Sequence, residues 1–157
     1  EAAAGLREKA FEAAPAIGGT LDGDEFAWLA DADCRMGPML EAMVDGRYYW
    51  VPLQAIKGIQ ISAPKDLCDL VWTPAEFTWT NEGRSQGLIP TRYPDSETSE
   101  SDAVRLARRT EWIEKPAQTY FGLGQRVLVT DADEYSILSV RQIELNGSAE
   151  TQENRDG

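Results

Sequence analysis

Closely spaced carboxylates are the side chains of this sequence best suited to chemistry. Two Asp-Ala-Asp triplets occupy positions 31–33 and 131–133. Oxygen ligands at alternating positions can hold Mg²⁺ or Ca²⁺, so one hypothesis is a divalent-metal-dependent enzyme that uses Asp31, Asp33 and Asp69. A calcium loop, however, needs a longer run of ligands with a closing Glu, which both triplets lack. The simpler interpretation of 131–133 is a hairpin turn, and we assign no metal ligand.

Other chemistries are limited by what the sequence lacks. There is no histidine, which excludes Ser-His-Asp catalysis, Cys-His catalysis and zinc sites that need imidazole. Cys34 and Cys68 are too few for a disulfide scaffold, and we expect free thiols in a reducing compartment. Gly122 and Gly124 lack the lysine of a phosphate-binding loop, so a bend in a strand is the favoured interpretation. These absences predict a protein that is not an enzyme and has no cofactor.

Composition and charge narrow the class of partner. The chain has 157 residues, of which 42% are hydrophobic, enough for one folded domain with a core. Its net charge is −12, whereas proteins that bind nucleic acid need a basic face. This charge argues against nucleic acid as a partner. The same charge disfavours anionic membrane surfaces, and the apolar runs are far shorter than the ~20 residues of a membrane span. We therefore expect a protein partner.

Aromatic side chains are the feature that indicates binding. The chain has five tryptophans and five tyrosines, which is many for one small domain. Trp, Tyr and Arg are the side chains that anchor protein interfaces. We expect most of the tryptophans in the core and a minority in contact with a partner. The candidate partner-binding residues are Tyr48, Trp50, Trp79, Arg92, Tyr93 and Trp112.

Local signals place these residues on hairpins that follow a short helix. An Ala-rich run with apolar residues at helical spacing predicts a helix over 2–14. Asp45-Gly46 between strand-like runs predicts a hairpin of Met39–Val44 with Arg47–Pro52. Two further hairpins are expected, 76–80 with 87–93 and 120–130 with 135–145. The predicted fold class is α+β, with an antiparallel sheet curled into a small, partly open barrel, an N-terminal helix and short helical connections.

Several blocks of sequence, in a fixed order, resemble one known family. They are FAWLADADCRMGP at 26–38, DGRYYWVP at 45–52, DLCDLVWTPA at 66–75, GLIPTRYP at 87–94, RLARRTEW at 105–112 and GLGQR at 122–126. Together with a closing Val-Arg pair at 140–141, these blocks resemble the ImpE family, also called SciE or TagJ.

The resemblance implies a non-enzymatic, cytoplasmic accessory protein of the bacterial type VI secretion system. Such a protein is expected to bind a helix at the N-terminus of the small contractile-sheath subunit and to act beside the ClpV unfoldase. The resemblance also implies a helical N-terminal domain before the β-rich domain. Residues 1–19 are then expected to hold the last helix of a missing N-terminal domain, 20–145 the β-rich domain and 146–157 a polar tail. An alternative hypothesis is a structural adaptor that self-associates through the helix at 2–14.

Overall fold

The computed structural model describes residues 2–147, so residues 148–157 of the predicted polar tail lie outside the described residues. Helix α1 spans Ala2–Ala13, as the Ala-rich pattern predicts, and a one-turn helix α2 spans Asp102–Arg105. Within residues 2–147, no helix is both long and apolar enough to cross a bilayer.

The strands between residues 19 and 145 form three sheets. In chain order they are β1 (Gly19–Leu21), β2 (Asp24–Phe26), β3 (Leu29–Asp31), β4 (Met39–Val44), β5 (Arg47–Pro52), β6 (Ile56–Ile61), β7 (Trp72–Trp79), β8 (Arg84–Pro90), β9 (Thr110–Lys115), β10 (Thr119–Gly124), β11 (Val127–Thr130), β12 (Glu134–Ser136) and β13 (Gln142–Leu145). Short 3₁₀ turns join several of them.

The largest sheet has eight strands in the order β2-β1-β13-β6-β7-β8-β4-β5, and every neighbouring pair is antiparallel. The small sheets are β10-β9 and β12-β11-β3. The prediction of a mixed fold with a largely antiparallel sheet and few helices is confirmed. Among the described strands the edges β2 and β5 do not pair, so this sheet is not a closed barrel, and its curling into a partly open one stays a prediction.

One face of the large sheet forms the core. Along β7, Thr73, Ala75 and Phe77 are buried in alternation, as expected when one face of a strand packs inward. Phe77 and Ile89 of the neighbouring β8 are both 0% exposed. Leu40, Ala42 and Val44 of β4 join the same core, so the alternate residues of these strands face outward.

The hairpin predictions have different outcomes. Asp45 and Gly46 have φ of 51° and 74°, as a type I′ turn requires, and β4 pairs with β5. The pairing of β7 with β8 confirms the second hairpin. The third is confirmed in part: β11 pairs with β12 across the turn at 131–133, but β10 pairs with β9, which was not predicted, and β13 pairs with β1 and β6.

A bend at Gly124 explains why the first strand of the third hairpin does not extend back to residue 120. This glycine has φ of +92°, and a Cβ there would lie 2.0 Å from the Arg109 carbonyl oxygen. Only glycine can occupy such a position, and the bend separates β10 from β11. The prediction of a bend near this glycine is confirmed.

Candidate interaction surface

The solvent-facing side of the large sheet carries a row of apolar side chains. The neighbours of Met43 in β4 pack into the core, so Met43 lies on the opposite face. Met43 lies directly across from Tyr48 of β5 on one side and from Leu88 of β8 on the other. Leu88 in turn pairs with Pro74 of β7. Side chains from four neighbouring strands therefore form one continuous row.

Two tryptophans widen this row. Trp50 lies two residues from Tyr48 along β5, and Trp72 lies two residues from Pro74 along β7, so both lie on the same face. Tyr48 is 52% exposed, Trp50 51%, Trp72 39% and Leu88 36%. Contiguous exposed apolar side chains on a folded domain mark interaction sites. We call Met43, Tyr48, Trp50, Trp72, Pro74 and Leu88 the outer apolar face.

A row of polar side chains runs beside the outer apolar face, two residues further along the strands. Gln86 pairs with Glu76, Glu76 with Gln60, and Gln60 with Gln142. The Gln86 amide donates to Glu76 Oε2 at 2.7 Å. Together with Arg141 these residues line a cleft of about 400 Å³. A partner lying across the strands would contact apolar groups on one side and amides and a carboxylate on the other.

A buried ion cluster borders the outer apolar face on its other side. The Arg126 guanidinium, 0% exposed, donates to Asp31 Oδ2 at 2.6 Å and to the Glu41 carboxylate. The Tyr93 hydroxyl donates to Asp31 Oδ1 at 2.7 Å, and the Tyr93 ring centre lies 5.0 Å from the Arg126 guanidinium carbon. The Arg126 Nε–H donates to the Pro90 carbonyl at 3.1 Å, which ties the cluster to the end of β8.

Burial and charge fix the protonation of this cluster. Burial alone would lower the pKa of Arg126, but the carboxylates of Asp31 and Glu41 outweigh it and raise that pKa. Burial raises the pKa of the Asp31 carboxyl, against the opposing effect of Arg126. Burial also raises the pKa of Tyr93, and the nearby Asp31 adds to the shift. Arg126 therefore stays charged and Tyr93 keeps its proton at neutral pH.

A chain of hydrogen bonds connects the ion cluster to the outer apolar face. One Glu41 oxygen accepts from Arg126 and the other accepts from the Tyr48 hydroxyl. The Trp50 indole N–H donates to the Tyr48 hydroxyl oxygen at 2.7 Å. Burial raises the pKa of Tyr48 and its bond to Glu41 adds to the shift, so this hydroxyl keeps the proton that it donates. A buried carboxylate thus orients both aromatic side chains.

We expect Tyr48→Phe to release Trp50 while keeping an aromatic ring at position 48. The substitution removes the hydroxyl between Glu41 and Trp50, and losing such a hydrogen bond costs about 1 kcal/mol of stability. In ¹⁵N NMR spectra the Trp50 indole N–H should shift and exchange faster with water. Tyr49→Phe is the control, because the Tyr49 hydroxyl has no hydrogen bond among the described residues. An unchanged Trp50 indole signal in the Tyr48 variant would contradict the orienting role.

The structure brings together two of the predicted partner contacts, Tyr48 and Trp50. Trp112 is 40% exposed but lies on β9 in a separate sheet, with its ring 5.9 Å from that of Tyr93. Tyr93 itself is 1% exposed and belongs to the ion cluster. Its hydroxyl and ring make internal contacts, so Tyr93 is not part of the outer apolar face.

The other two predicted contacts also have internal roles. Trp79 is half-buried and stacks on Phe77 at 5.3 Å between ring centres. Arg92 is half-buried and donates to the Arg105 carbonyl at 2.5 Å. The expectation that most tryptophans lie in the core was wrong. The exposed ones, between 39% and 51%, are Trp28, Trp50, Trp72 and Trp112.

Sequence reasoning missed Met43, Trp72, Pro74 and Leu88. The alternation of core and non-core residues along β4, β7 and β8 was a signal that each of them lies on the outward face. That alternation does not say which strands are neighbours. The row exists because β8 pairs with β4 across a long stretch of intervening chain.

The acidic residues considered for metal binding have other partners. Asp31 is ion-paired in the buried cluster, and Asp33 accepts from Arg35 at 2.6 Å. Asp69 Oδ2 accepts the Lys65 backbone N–H at 2.8 Å. Across residues 2–147, no group of three or more metal-ligating side chains is close enough to hold an ion. Nothing in this arrangement favours the metal-dependent enzyme. The triplet at 131–133 forms the turn between β11 and β12, as predicted.

Comparison with known proteins assigns the chain to a family. The family model described as ImpE protein matches residues 23–144, which include the outer apolar face, the polar row and the ion cluster. The chain belongs to the ImpE family. The resemblance predicted from the sequence blocks is therefore confirmed.

Two similar proteins extend this finding. The chain is 46% identical over 144 residues to the type VI secretion system accessory component TagJ of Pseudomonas aeruginosa, which covers 92% of this chain and 50% of that protein. The crystal structure of protein VPA1032 from Vibrio parahaemolyticus superposes with a TM-score of 0.84 at 26% identity, covering 96% of this chain and 56% of that one. The chain thus spans about half the length of the relatives it matches.

Besides the outer apolar face, the domain has an apolar cleft that lies partly outside the residues matched by the ImpE family model. It is a cleft of about 390 Å³ between α1 and the body of the domain, and Phe11, Ile17, Pro38 and Leu53 are among the residues that line it. Helix α1 precedes residues 23–144, which the family model matches. The outer apolar face lies wholly within those residues. The outer apolar face is therefore the stronger candidate for a surface that belongs to the family domain itself.

Proposed function

We propose that this chain is part of a non-enzymatic type VI secretion accessory protein, acting in the bacterial cytoplasm by binding another protein. The outer apolar face carries the proposal, because four of its six residues are exposed, the other two are half-buried between them, and contiguous apolar surface of this kind marks an interaction site. Membership of the ImpE family and the name of the Pseudomonas aeruginosa relative support the secretion pathway. The partner we propose is the N-terminal helix of the small contractile-sheath subunit, with the ClpV unfoldase acting nearby.

The dimensions of the surface suit a helix. The row from Tyr48 to Pro74 crosses three inter-strand spacings of about 4.8 Å, or roughly 14 Å. A helix rises 1.5 Å per residue, so about nine residues, between two and three turns, would cover the row. A helix this long presents one apolar stripe to such a surface and keeps its polar side in solvent.

The negative charge of the chain indicates which side chains should lie beside the apolar stripe of the partner helix. Glu76 lies in the polar row, and the whole chain carries −12. Lys or Arg beside the apolar stripe of the partner would be attracted by the net charge of the chain, whereas the charges beside the polar row are mixed, because Arg84 lies 3.9 Å from Glu76 and Arg141 lines the same cleft. Complementary charge raises the association rate more than it raises affinity. We expect the apolar stripe to supply most of the binding free energy and the basic flank to supply the salt dependence.

The test is a calorimetric titration of the chain with a peptide of the sheath subunit's N-terminal helix. A peptide of the same composition in scrambled order is the control, since it keeps the charge but loses the apolar stripe. We expect the native peptide to bind at low and at moderate salt and the scrambled one to bind weakly at low salt only. Equal binding of both peptides would contradict the proposal, because attraction to a charge of −12 would then explain everything.

A further inference from the structure

We propose that the edge strand β5 pairs with β5 of a second copy of this chain, joining two large sheets into one. Among the described strands, β4 is the neighbour of β5 on one side and the other side is open. Val44 and Arg47 flank the two-residue turn, and that closing pair exchanges hydrogen bonds in such a hairpin. Bonded and non-bonded pairs then alternate, so the backbone groups of Tyr48 and Trp50 point to the open side.

The open side of β5 is self-complementary. In an antiparallel pair centred on Tyr49, Tyr48 lies opposite Trp50 of the second copy, and Trp50 lies opposite its Tyr48. Each of these pairs can exchange two N–H···O bonds, so the outward backbone groups of both residues are all satisfied. Pairing ends on one side at Pro52, which has no N–H, and on the other at the Asp45-Gly46 turn.

Of the two edge strands of the large sheet, β2 discourages pairing with another strand and β5 does not. β2 has only three residues, and two of them, Asp24 and Glu25, are acidic. Short, charged edge strands discourage the addition of another strand. β5 has six residues, RYYWVP, whose one charged side chain is Arg47. In a chain of net charge −12, β5 is therefore an edge that a second, equally acidic copy can approach.

The area available indicates a weak dimer. Tyr48, Tyr49 and Trp50 are 52%, 43% and 51% exposed. With about 150–250 Å² for each aromatic side chain, the three would cover roughly 300 Å² per copy. Even with the backbone added, the total is below the ~1,200–2,000 Å² of a stable complex. Tyr48 and Trp50 would form cross-strand aromatic pairs, and the two outer apolar faces would become continuous.

The test needs no peptide, so it is independent of the proposed function. Sedimentation equilibrium of the chain over a hundredfold concentration range should show the mass rising from 17.4 kDa towards twice that value. More salt should strengthen the dimer, because it screens repulsion between two acidic copies. Amide hydrogen exchange at Tyr48 and Trp50 should slow as concentration rises, since both N–H groups become bonded.

Three variants separate strand pairing from other contacts. Trp50→Pro removes an N–H that does not bond to β4, and it should abolish the dimer, whereas Trp50→Val keeps that N–H and should retain a weakened dimer. Glu25→Pro makes the equivalent change at the other edge and should leave the dimer intact. A 17.4 kDa species at every concentration and salt would overturn the proposal. Association without slower exchange at Tyr48 and Trp50 would equally overturn it, and would point to another surface such as α1.

Discussion

Arg126→Met is expected to lower the free energy of unfolding by about 3–5 kcal/mol. Arg126 is 0% exposed, and its guanidinium is ion-paired with both Asp31 and Glu41. Met fills much of the same volume but leaves these buried carboxylates without a counter-ion. Small domains unfold with only about 5–15 kcal/mol, so a large share of the stability would be lost.

Urea unfolding followed by circular dichroism measures this loss. Arg84→Met is the matched control, because Arg84 is 72% exposed and lies 3.9 Å from Glu76, and exposed ion pairs of this kind contribute ~0–1 kcal/mol. Both variants change the net charge equally, so a difference between them reports burial and not charge. Equal effects of the two substitutions would contradict a structural role for the ion cluster.

Leu88→Asp is expected to weaken binding of the sheath peptide by about 2 kcal/mol, or roughly thirtyfold. Leu88 lies in the middle of the apolar row, between Met43 and Pro74. A carboxylate there would lose its water when a helix covers it and would gain no partner from an apolar stripe. Because Leu88 is 36% exposed in the free domain, the folded state should tolerate the change.

Leu106→Asp is the matched control for this substitution. Leu106 is 53% exposed just after α2 and is not one of the residues of the outer apolar face. The two variants have the same composition and the same net charge, so they differ only in where the carboxylate lies. We expect Leu106→Asp to bind the peptide like the unchanged chain, as measured by calorimetry. Equal losses in both variants would show that overall charge, and not the outer apolar face, governs binding.

The parts of the fold that could be predicted depend on local signals. The helix at α1 follows from alanine content, and the β4–β5 hairpin follows from Asp45-Gly46, whose positive φ values only a few residue types accept. Tyr48 and Trp50 were candidates because they are aromatic and lie on that hairpin. β9 was missed because its partner β10 begins after a turn at 116–118 in which Ala117 and Gln118, and no glycine, have positive φ.

The rest of the site could not be read from the sequence because it depends on contacts between distant residues. Arg126 is 95 residues from Asp31 and 85 from Glu41, and nothing local relates them. The outer apolar face likewise depends on the pairing of β8 with β4, which sets Leu88 beside Met43. Alternation assigns each residue to a face of its strand, but the register between strands decides whether apolar residues form a continuous surface.

The outer apolar face is tested most directly by mapping the peptide on the chain with amide chemical shifts in ¹⁵N NMR spectra. We expect the largest changes at the amides of Met43, Tyr48 and Leu88 and at the Trp50 indole N–H, with smaller ones along the polar row at Gln60 and Gln86. Changes concentrated at Phe11 and Leu53 would place the peptide in the cleft beside α1, and changes on β9 and β10 would place it at Trp112. Either result would contradict binding at the outer apolar face.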